Sequence, residues 1–171
     1  MPRKKLGLAV IAAAFLLAGC VATPEERVAD GMESAKSAFE QQPEDVNEQT
    51  DHVEFYLPGG YTVEEPSDEN NIIITKGSDS FVLFVNPNES ADSRLFYDLQ
   101  KANPEQKWTA DETFEENGRF GFATVRNIAE DRYELVVSAG GVKMTTISEE
   151  SKIDGNMEWM MKTVRSIDNE E

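Results

Sequence analysis

The feature that most constrains this chain of 171 residues is its single cysteine, Cys20, which ends a long apolar segment. One thiol cannot form a disulfide within the chain, so no covalent cross-link stabilises the fold. A domain without disulfides has to be stabilised by the apolar core that it buries on folding. The rest of the sequence must therefore contain enough patterned helices and strands to build that core.

The segment before this cysteine has the parts of an export signal. Met1–Lys5 carries three basic side chains, and a 14-residue run without any charge follows from Leu6 to Gly19. As a helix this run is about 21 Å long, which is short of the roughly 30 Å hydrocarbon core of a bilayer. The length favours the apolar part of a secretory signal over a permanent transmembrane helix.

The four residues Leu17-Ala18-Gly19-Cys20 resemble the lipobox of bacterial lipoproteins. This resemblance implies cleavage before Cys20, a diacylglycerol on its sulfur and an acyl group on its new amino terminus. Two or three acyl chains make a stable membrane anchor, whereas one holds only marginally. The alternative is an ordinary signal followed by a free or buried cysteine. We expect residues 1–19 to be the cleaved signal, 20–23 the lipid anchor and short tether, and 24–171 one acidic domain.

Lipidation would place the mature chain at the extracytoplasmic face of a bacterial membrane. Val21 follows the cysteine, and in a two-membrane bacterium the resemblance then implies the outer membrane; the composition suits a Gram-positive source equally. Signal cleavage leaves 13 of the 16 basic residues against 33 acidic ones, a net charge of −20. Such a charge repels nucleic-acid phosphates and anionic lipid headgroups. We therefore expect no nucleic-acid partner.

A first helix is predicted directly after the tether. Thr23-Pro24-Glu25-Glu26 has the pattern of a capping box with proline in the first turn. Apolar residues then recur at helical spacing until Pro43, and these are Val28, Met32, Ala35 and Phe39. Residues 41–51 are polar and unpatterned, so we expect a loop there.

Two groups of four strands are predicted beyond this loop, on either side of a middle helix. The predicted strands are 53–57, 61–63, 72–75, 81–85, 107–114, 119–126, 132–138 and 142–147. The first two are expected to pair around Pro58-Gly59-Gly60. The third and fourth are nearly all apolar and are expected to be covered on both faces.

Helical spacing predicts the middle helix over residues 90–102, capped by Ser90 or Asp92, and a final helix that Gly155 delays until Asn156. The fold class that follows is α+β. We expect an antiparallel sheet of about six to eight strands, with an N-terminal, a middle and a C-terminal helix packed on its faces.

Residues 53–167 resemble PsbP/Mog1/DcrB-like domains. The resemblance lies in "VEFYLPGGYTVEE", in the hairpin "IIITKGSDSFVLFV" and in the closing helix "MEWMMKTVRSI". It implies an α+β domain from a fold family that includes bacterial lipoproteins, whose members have unrelated binding or accessory roles. A domain of Gram-positive envelope and anti-sigma proteins starts with a similar "LPxGY" strand. Neither resemblance supplies a catalytic residue.

No catalytic constellation is recognisable. His52 is the only histidine and follows Asp51, but adjacent residues of a strand point to opposite faces, and no nucleophile turn is present. We interpret His52 as a solvated residue at a strand end. A carboxylate-based hydrolase of cell-wall glycan is the competing hypothesis, which needs two acids about 5–9.5 Å apart in one cleft.

Acidic turns offer oxygen ligands of the kind that calcium binds. The candidate ligands are Asp68, Glu69, Asp111 and Glu112, but their spacing is not that of an EF-hand loop. A calcium-binding structural module is therefore a further alternative, while a solvated acidic surface is the interpretation we favour. We expect neither a specific metal site nor a cofactor.

Aromatic residues are the candidates for a recognition surface for glycan or peptide. They are Tyr56, Tyr61, Phe84 and Trp108, with Trp159 in the last helix. Aromatic residues at these spacings are more often part of the core. The same choice, partner surface or core, applies to Met157, Met160 and Met161.

Together these features indicate a membrane-anchored cell-envelope lipoprotein without catalytic activity. We expect it to bind or assist an envelope protein or a cell-wall component, and to reach the membrane through the lipid on Cys20.

Overall fold

A computed structural model describes residues 22–65 and 70–167, and its first helix begins at the predicted capping residues. The Thr23 hydroxyl accepts a hydrogen bond from the Glu26 backbone N–H at 3.2 Å, and the Glu26 carboxylate accepts one from the Thr23 N–H at 2.8 Å. The predicted apolar face is buried along the whole helix. The N-terminal helix is therefore confirmed, together with its capping box.

Three helices and nine strands are formed by the described residues. The helices are α1 Pro24–Glu40, α2 Leu95–Lys101 and α3 Ile153–Ser166, with a 3₁₀ turn at Glu150–Lys152 before α3. The strands are β1 Glu48–Gln49, β2 Glu54–Phe55, β3 Thr62–Val63, β4 Asn71–Lys76, β5 Asp79–Val85, β6 Ala110–Glu116, β7 Arg119–Ala129, β8 Arg132–Ala139 and β9 Val142–Ser148.

Seven of these strands make one antiparallel sheet in the order β3-β4-β5-β9-β8-β7-β6, and β1 and β2 form a separate pair. Both α1 and α3 pack on one face of the large sheet and bury the main core with it. The short α2 packs on the opposite face, where Phe96 meets Phe120, Phe122 and Val136. The predicted α+β class, with an antiparallel sheet and three helices, is confirmed.

Helices α1 and α3 run in the same direction. Near their starts, Arg27 Nε lies 3.2 Å from a Glu150 carboxylate oxygen, and near their ends Arg165 Nε donates to the Phe39 carbonyl at 2.9 Å. The turn between β4 and β5 is at the same end as both helix starts, because Lys152 Nζ bonds Asp79 there. We call this end of the domain the helix-start end.

The predicted hairpin between β2 and β3 is wrong. β2 pairs with β1, which forms inside the predicted loop, and β3 pairs with β4. The backbone groups that such a hairpin would pair are hydrogen-bonded to side chains instead. Asn47 bonds both the N–H and the carbonyl of Leu57, and Ser166 Oγ accepts from the Tyr56 N–H. Pro58 then has no N–H to continue a ladder.

The expected two-sided burial of β4 and β5 is also wrong. Burial alternates along both strands, and on the face towards α2 the side chain of Val82 is 38% exposed. The reason is the length of α2, whose seven residues cover only part of that face. Strand β6 also begins at Ala110 rather than at residue 107.

The middle helix is shorter than predicted. It has Arg94 at its N-cap without a side-chain cap, because the Ser90 hydroxyl bonds the Asp92 carboxylate and the Ala91 carbonyl accepts from the Phe120 N–H. Only Phe96 of its apolar residues is buried, and Leu99 is 62% exposed.

Gly155 does not delay α3, which begins at Ile153. Ile153 is fully buried against α1, so packing sets the start of this helix. The three methionines of α3 are also fully buried, which places them in the core. No helix within residues 22–65 and 70–167 is long and apolar enough to span a bilayer.

Candidate functional site

A cavity of about 520 Å³ lies at the helix-start end, between the loop before β3, the β4–β5 turn and the first turns of α3. We call it the Tyr61 pocket. The side chains that define its chemistry are Tyr61, Lys76, Asp79, Lys152, Asn156 and Trp159. Its volume is within the range of about 300–1,000 Å³ that is typical of small-molecule sites.

Two aromatic rings, Tyr61 and Trp159, line one wall of the Tyr61 pocket, and Phe81 packs against both from the core. The ring centroids of Tyr61 and Trp159 are 4.3 Å apart, and the buried Phe81 packs edge-on against both rings. Tyr61 remains partly exposed, whereas Trp159 is only 8% exposed. The wall therefore offers an aromatic edge and a tyrosine hydroxyl to a ligand.

A buried polar chain holds Trp159 in place. Its indole N–H donates to Asn156 Oδ1 at 3.2 Å, and Asn156 Nδ2 donates to Ser148 Oγ at 2.9 Å. Because the indole N–H and the Asn156 amide are bonded to neighbours in the fold, the ring orientation is set before any ligand arrives.

The charged groups of the pocket are an ion pair between Lys152 and Asp79 and the separate Lys76. Lys152 Nζ donates to both carboxylate oxygens of Asp79, at 2.9 and 3.1 Å, and lies 3.3 Å from Glu149. Lys76 Nζ lies 4.4 Å from the centre of the Tyr61 ring. Within the described part of the chain Lys76 has no carboxylate partner, so its ammonium group is available to an anion.

Two pKa shifts keep Lys152 protonated and Tyr61 neutral near neutral pH. The hydrogen bond that Lys152 donates to Asp79 raises the pKa of Lys152 above 10.5, and burial, followed by the charge of Asp79, raises the pKa of Tyr61 above 10.0. Ser151 is the hydroxyl beside Lys152, and a protonated amine cannot act as its general base. Lys152 therefore binds Asp79 and does not activate Ser151.

Two glycines leave bare backbone in the wall of the pocket. A Cβ added at Gly59 or Gly155 would meet no atom within 4 Å. Glycine inside a helix costs about 1 kcal/mol relative to alanine, and no steric contact requires it at position 155. Glycine at position 155 therefore makes α3 less stable than alanine would, and it leaves space in the wall of the pocket.

The predicted recognition residues lie on different parts of the surface. Tyr61 lines the Tyr61 pocket, and Tyr56 lies beside the end of α3, bonded through its N–H to Ser166. Phe84 packs edge-on against Phe96 under α2, and Trp108 lines a separate cavity of about 320 Å³. The structure therefore does not bring the four residues into one surface.

The cavity beside Trp108 contains a half-buried lysine. Lys143 Nζ lies 5.1 Å from the centre of the Phe96 ring and 5.8 Å from that of Phe84. Burial lowers the pKa of Lys143, and the charge of Glu134 partly opposes that shift. Within the described ranges Lys143 makes no ion pair, so the charge of Glu134 and the two aromatic rings only partly offset the burial of its ammonium group.

The candidate calcium ligands do not assemble either. Asp68 and Glu69 lie outside the described residues, Asp111 is paired with Lys101, and Glu112 lies 3.6 Å from Lys36. No three His, Cys, Asp or Glu side chains meet at a possible metal position within residues 22–65 and 70–167. His52 is exposed at a bend before β2.

Sequence reasoning found Tyr61 and Trp159 but missed their charged partners. Lys76 and Asp79 flank a two-residue turn and face each other in the β4–β5 register, whereas the predicted strands ended at Thr75 and resumed at Phe81. Lys152 and Gly155 join them only through the packing of α3, and no local pattern indicates that contact.

No protein-family model matches the chain, and no curated protein matches it. Among solved structures, the chain is similar to the solution structure of cyanobacterial PsbP (CyanoP) from Synechocystis sp. PCC 6803. The TM-score is 0.42 and the sequence identity 11%, over 71% of this chain and 89% of that chain.

Proposed function

We propose that this chain is a lipid-anchored accessory protein of the bacterial cell envelope, held at the extracytoplasmic membrane surface through Cys20. Its role is to bind a ligand in the Tyr61 pocket without chemical conversion. The observation that carries the proposal is the arrangement of the N-terminus, where a basic start, a short apolar run and Leu17-Ala18-Gly19-Cys20 precede a capped helix.

The position of α1 determines how close a lipid on Cys20 would hold the folded domain to the bilayer. Only Val21, Ala22 and Thr23 separate Cys20 from the first residue of α1. The apolar face of α1 is buried in the domain core, so the helix is part of the fold rather than a flexible stalk. A lipid on Cys20 would therefore hold the folded domain close to the bilayer.

The chemistry of the Tyr61 pocket supports binding rather than catalysis. Its lysine at position 152 is kept protonated by the ion pair with Asp79, and Tyr61 keeps its proton, so neither group is a base for Ser151 near neutral pH. The aromatic wall and the ammonium group of Lys76 are groups that recognise a ligand with an anionic part.

The anchoring is tested by expressing the full chain and its Cys20→Ser variant in a bacterium fed with a clickable fatty acid. We expect the unsubstituted chain to be labelled, shortened and recovered with membranes, and the variant to lose the label and the lipoprotein cleavage. Ala22→Ser is the matched control, because it adds the same hydroxyl two residues later. Normal cleavage and membrane attachment of Cys20→Ser would contradict the proposal.

A further inference from the structure

We propose that the Tyr61 pocket lies at the membrane surface and binds the phosphate-bearing, zwitterionic headgroup of a membrane lipid. This inference rests on the proposed anchoring for the source of the ligand, but its binding chemistry is independent of the anchor.

The lipid attachment point and the pocket are at the same end of the domain. The first turn of α1 contacts the 3₁₀ turn before α3 through Arg27 and Glu150, which are 3.2 Å apart. The next two residues, Ser151 and Lys152, line the pocket. A second contact, from Ser34 beyond the middle of α1 to Asp154 at 2.5 Å, holds the start of α3 against α1.

The tether is too short to place this end far from the bilayer. An extended chain advances about 3.3–3.6 Å per residue, so the step from Cys20 to Pro24 spans at most about 14 Å. The helix-start end is therefore the part of the domain that the anchor keeps closest to the lipid. The opposite end of the domain, where β5 ends at Val85, lies further from the bilayer.

The charges of the pocket match a headgroup that carries both signs. Lys76 offers an ammonium group without a carboxylate partner in the described residues, which suits a phosphate. Asp79 already accepts from Lys152 through both oxygens, and the remaining lone pairs of its carboxylate at the pocket wall suit an amine. A headgroup without net charge also avoids the repulsion that the cleaved chain, with 13 basic and 33 acidic residues, exerts on an anionic surface.

The walls of the pocket suit a short polar chain. Tyr61 and Trp159 combine apolar rings with polar tips, the kind of side chain that is enriched at membrane–water interfaces. Gly155 leaves room in the wall for such a chain.

Binding is measured with a chain that starts at residue 20 and carries Cys20→Ser. The buried apolar residues of the described part of the fold all lie between Val28 and Ile167, so this chain keeps every one of them. Adding Trp108→Phe leaves Trp159 as the only tryptophan, and its fluorescence reports on the pocket. Glycerophosphoethanolamine is expected to change this fluorescence saturably, and inorganic phosphate only at higher concentration. A flat titration, or equal affinity for inorganic phosphate, would overturn the proposal.

Two variants test the location of that binding. Lys76→Gln is expected to weaken it about tenfold or more, whereas Lys107→Gln, the same charge change at an exposed loop position, leaves it unchanged. Gly155→Leu is expected to abolish it without loss of fold stability, because leucine is the better helix former and meets no atom at its Cβ. Equal weakening by both lysine substitutions, or full binding by Gly155→Leu, would contradict the assignment.

The membrane-facing geometry is tested on the intact lipidated protein in phosphatidylethanolamine-rich vesicles. Because Cys20 carries the lipid, a fluorophore attaches only to a cysteine introduced at Ser78, in the β4–β5 turn, or at Asn88, at the opposite end. A headgroup quencher is expected to quench the label at position 78 more strongly. Equal or reversed quenching would overturn the orientation. Labelling of Cys20 itself would instead contradict the proposed anchoring, while the binding result would stand.

Discussion

The ring of Phe39, near the end of α1, lies directly against the backbone of Gly121 in β7. A Cβ added at Gly121 would overlap this ring and would lie 2.7 Å from the carbonyl oxygen of Ser138 on the neighbouring strand. Phe39 is fully buried and also packs on Phe114 with ring centroids 5.5 Å apart. The end of α1 can approach the sheet because position 121 has no side chain.

Gly121→Ala should therefore lower the free energy of unfolding by about 1–3 kcal/mol, the usual cost of overpacking a core. The neighbouring Ser138 carbonyl belongs to a sheet strand and cannot move away cheaply. Gly155→Ala is the matched control and should raise stability by up to about 1 kcal/mol. Urea unfolding of both variants measures the difference, and a neutral Gly121→Ala would contradict this packing.

The capping box should contribute measurably to stability. Thr23→Ala removes the oxygen that accepts from the Glu26 N–H, and such changes cost about 1 kcal/mol. Thr23→Ser keeps the oxygen and should be close to neutral. Urea unfolding of the chain from residue 20 compares the two, and equal stability would mean that this cap does not hold α1.

Lys143→Met should stabilise the fold at pH 7. Burial lowers the pKa of Lys143, so the folded state binds this proton less tightly than the unfolded state. Stability of the unsubstituted protein then rises with pH through the window below 10.5, and the advantage of methionine should shrink there. Melting temperatures at pH 7 and pH 10 test this, with exposed Lys107→Met as the control for lost charge. A destabilised Lys143→Met at pH 7 would contradict it.

Ionisation of Tyr61 should lower the free energy of unfolding at alkaline pH. Its pKa is raised by burial and by Asp79, so above pH 10.0 the unfolded state loses the hydroxyl proton first. Stability must then fall as pH rises from 10.0 towards the pKa of the folded state. Lys152, whose pKa is raised above 10.5, acts in the same direction. Tyr61→Phe should reduce the loss of melting temperature between pH 9 and pH 11, and an unchanged slope would refute this.

Local patterns predicted the elements whose determinants are close in sequence. The capping box and the apolar stripe of α1 are of this kind, and so is the pairing of β4 with β5 in a hairpin. The partners of β2 and β3 were predicted wrongly, because Asn47 and Ser166 satisfy backbone groups that are 10 and 110 residues away from them. Such side-chain capping leaves no periodic signal.

The candidate site was predictable only in its aromatic part. Tyr61 and Trp159 stand out by residue type, whereas the availability of Lys76 and the pairing of Lys152 with Asp79 depend on how α3 packs beside the β4–β5 turn. The role of Gly155 also depends on this packing, since the pocket beside its Cβ position exists only in the folded structure.

The central claim is that Cys20 anchors the domain, and mass spectrometry of the mature N-terminal peptide from isolated membranes tests it most directly. The account predicts a peptide that begins at Cys20 and carries a diacylglyceryl group on sulfur, with the following residues unmodified. A mature chain that begins elsewhere, or an unmodified Cys20 thiol, would contradict it.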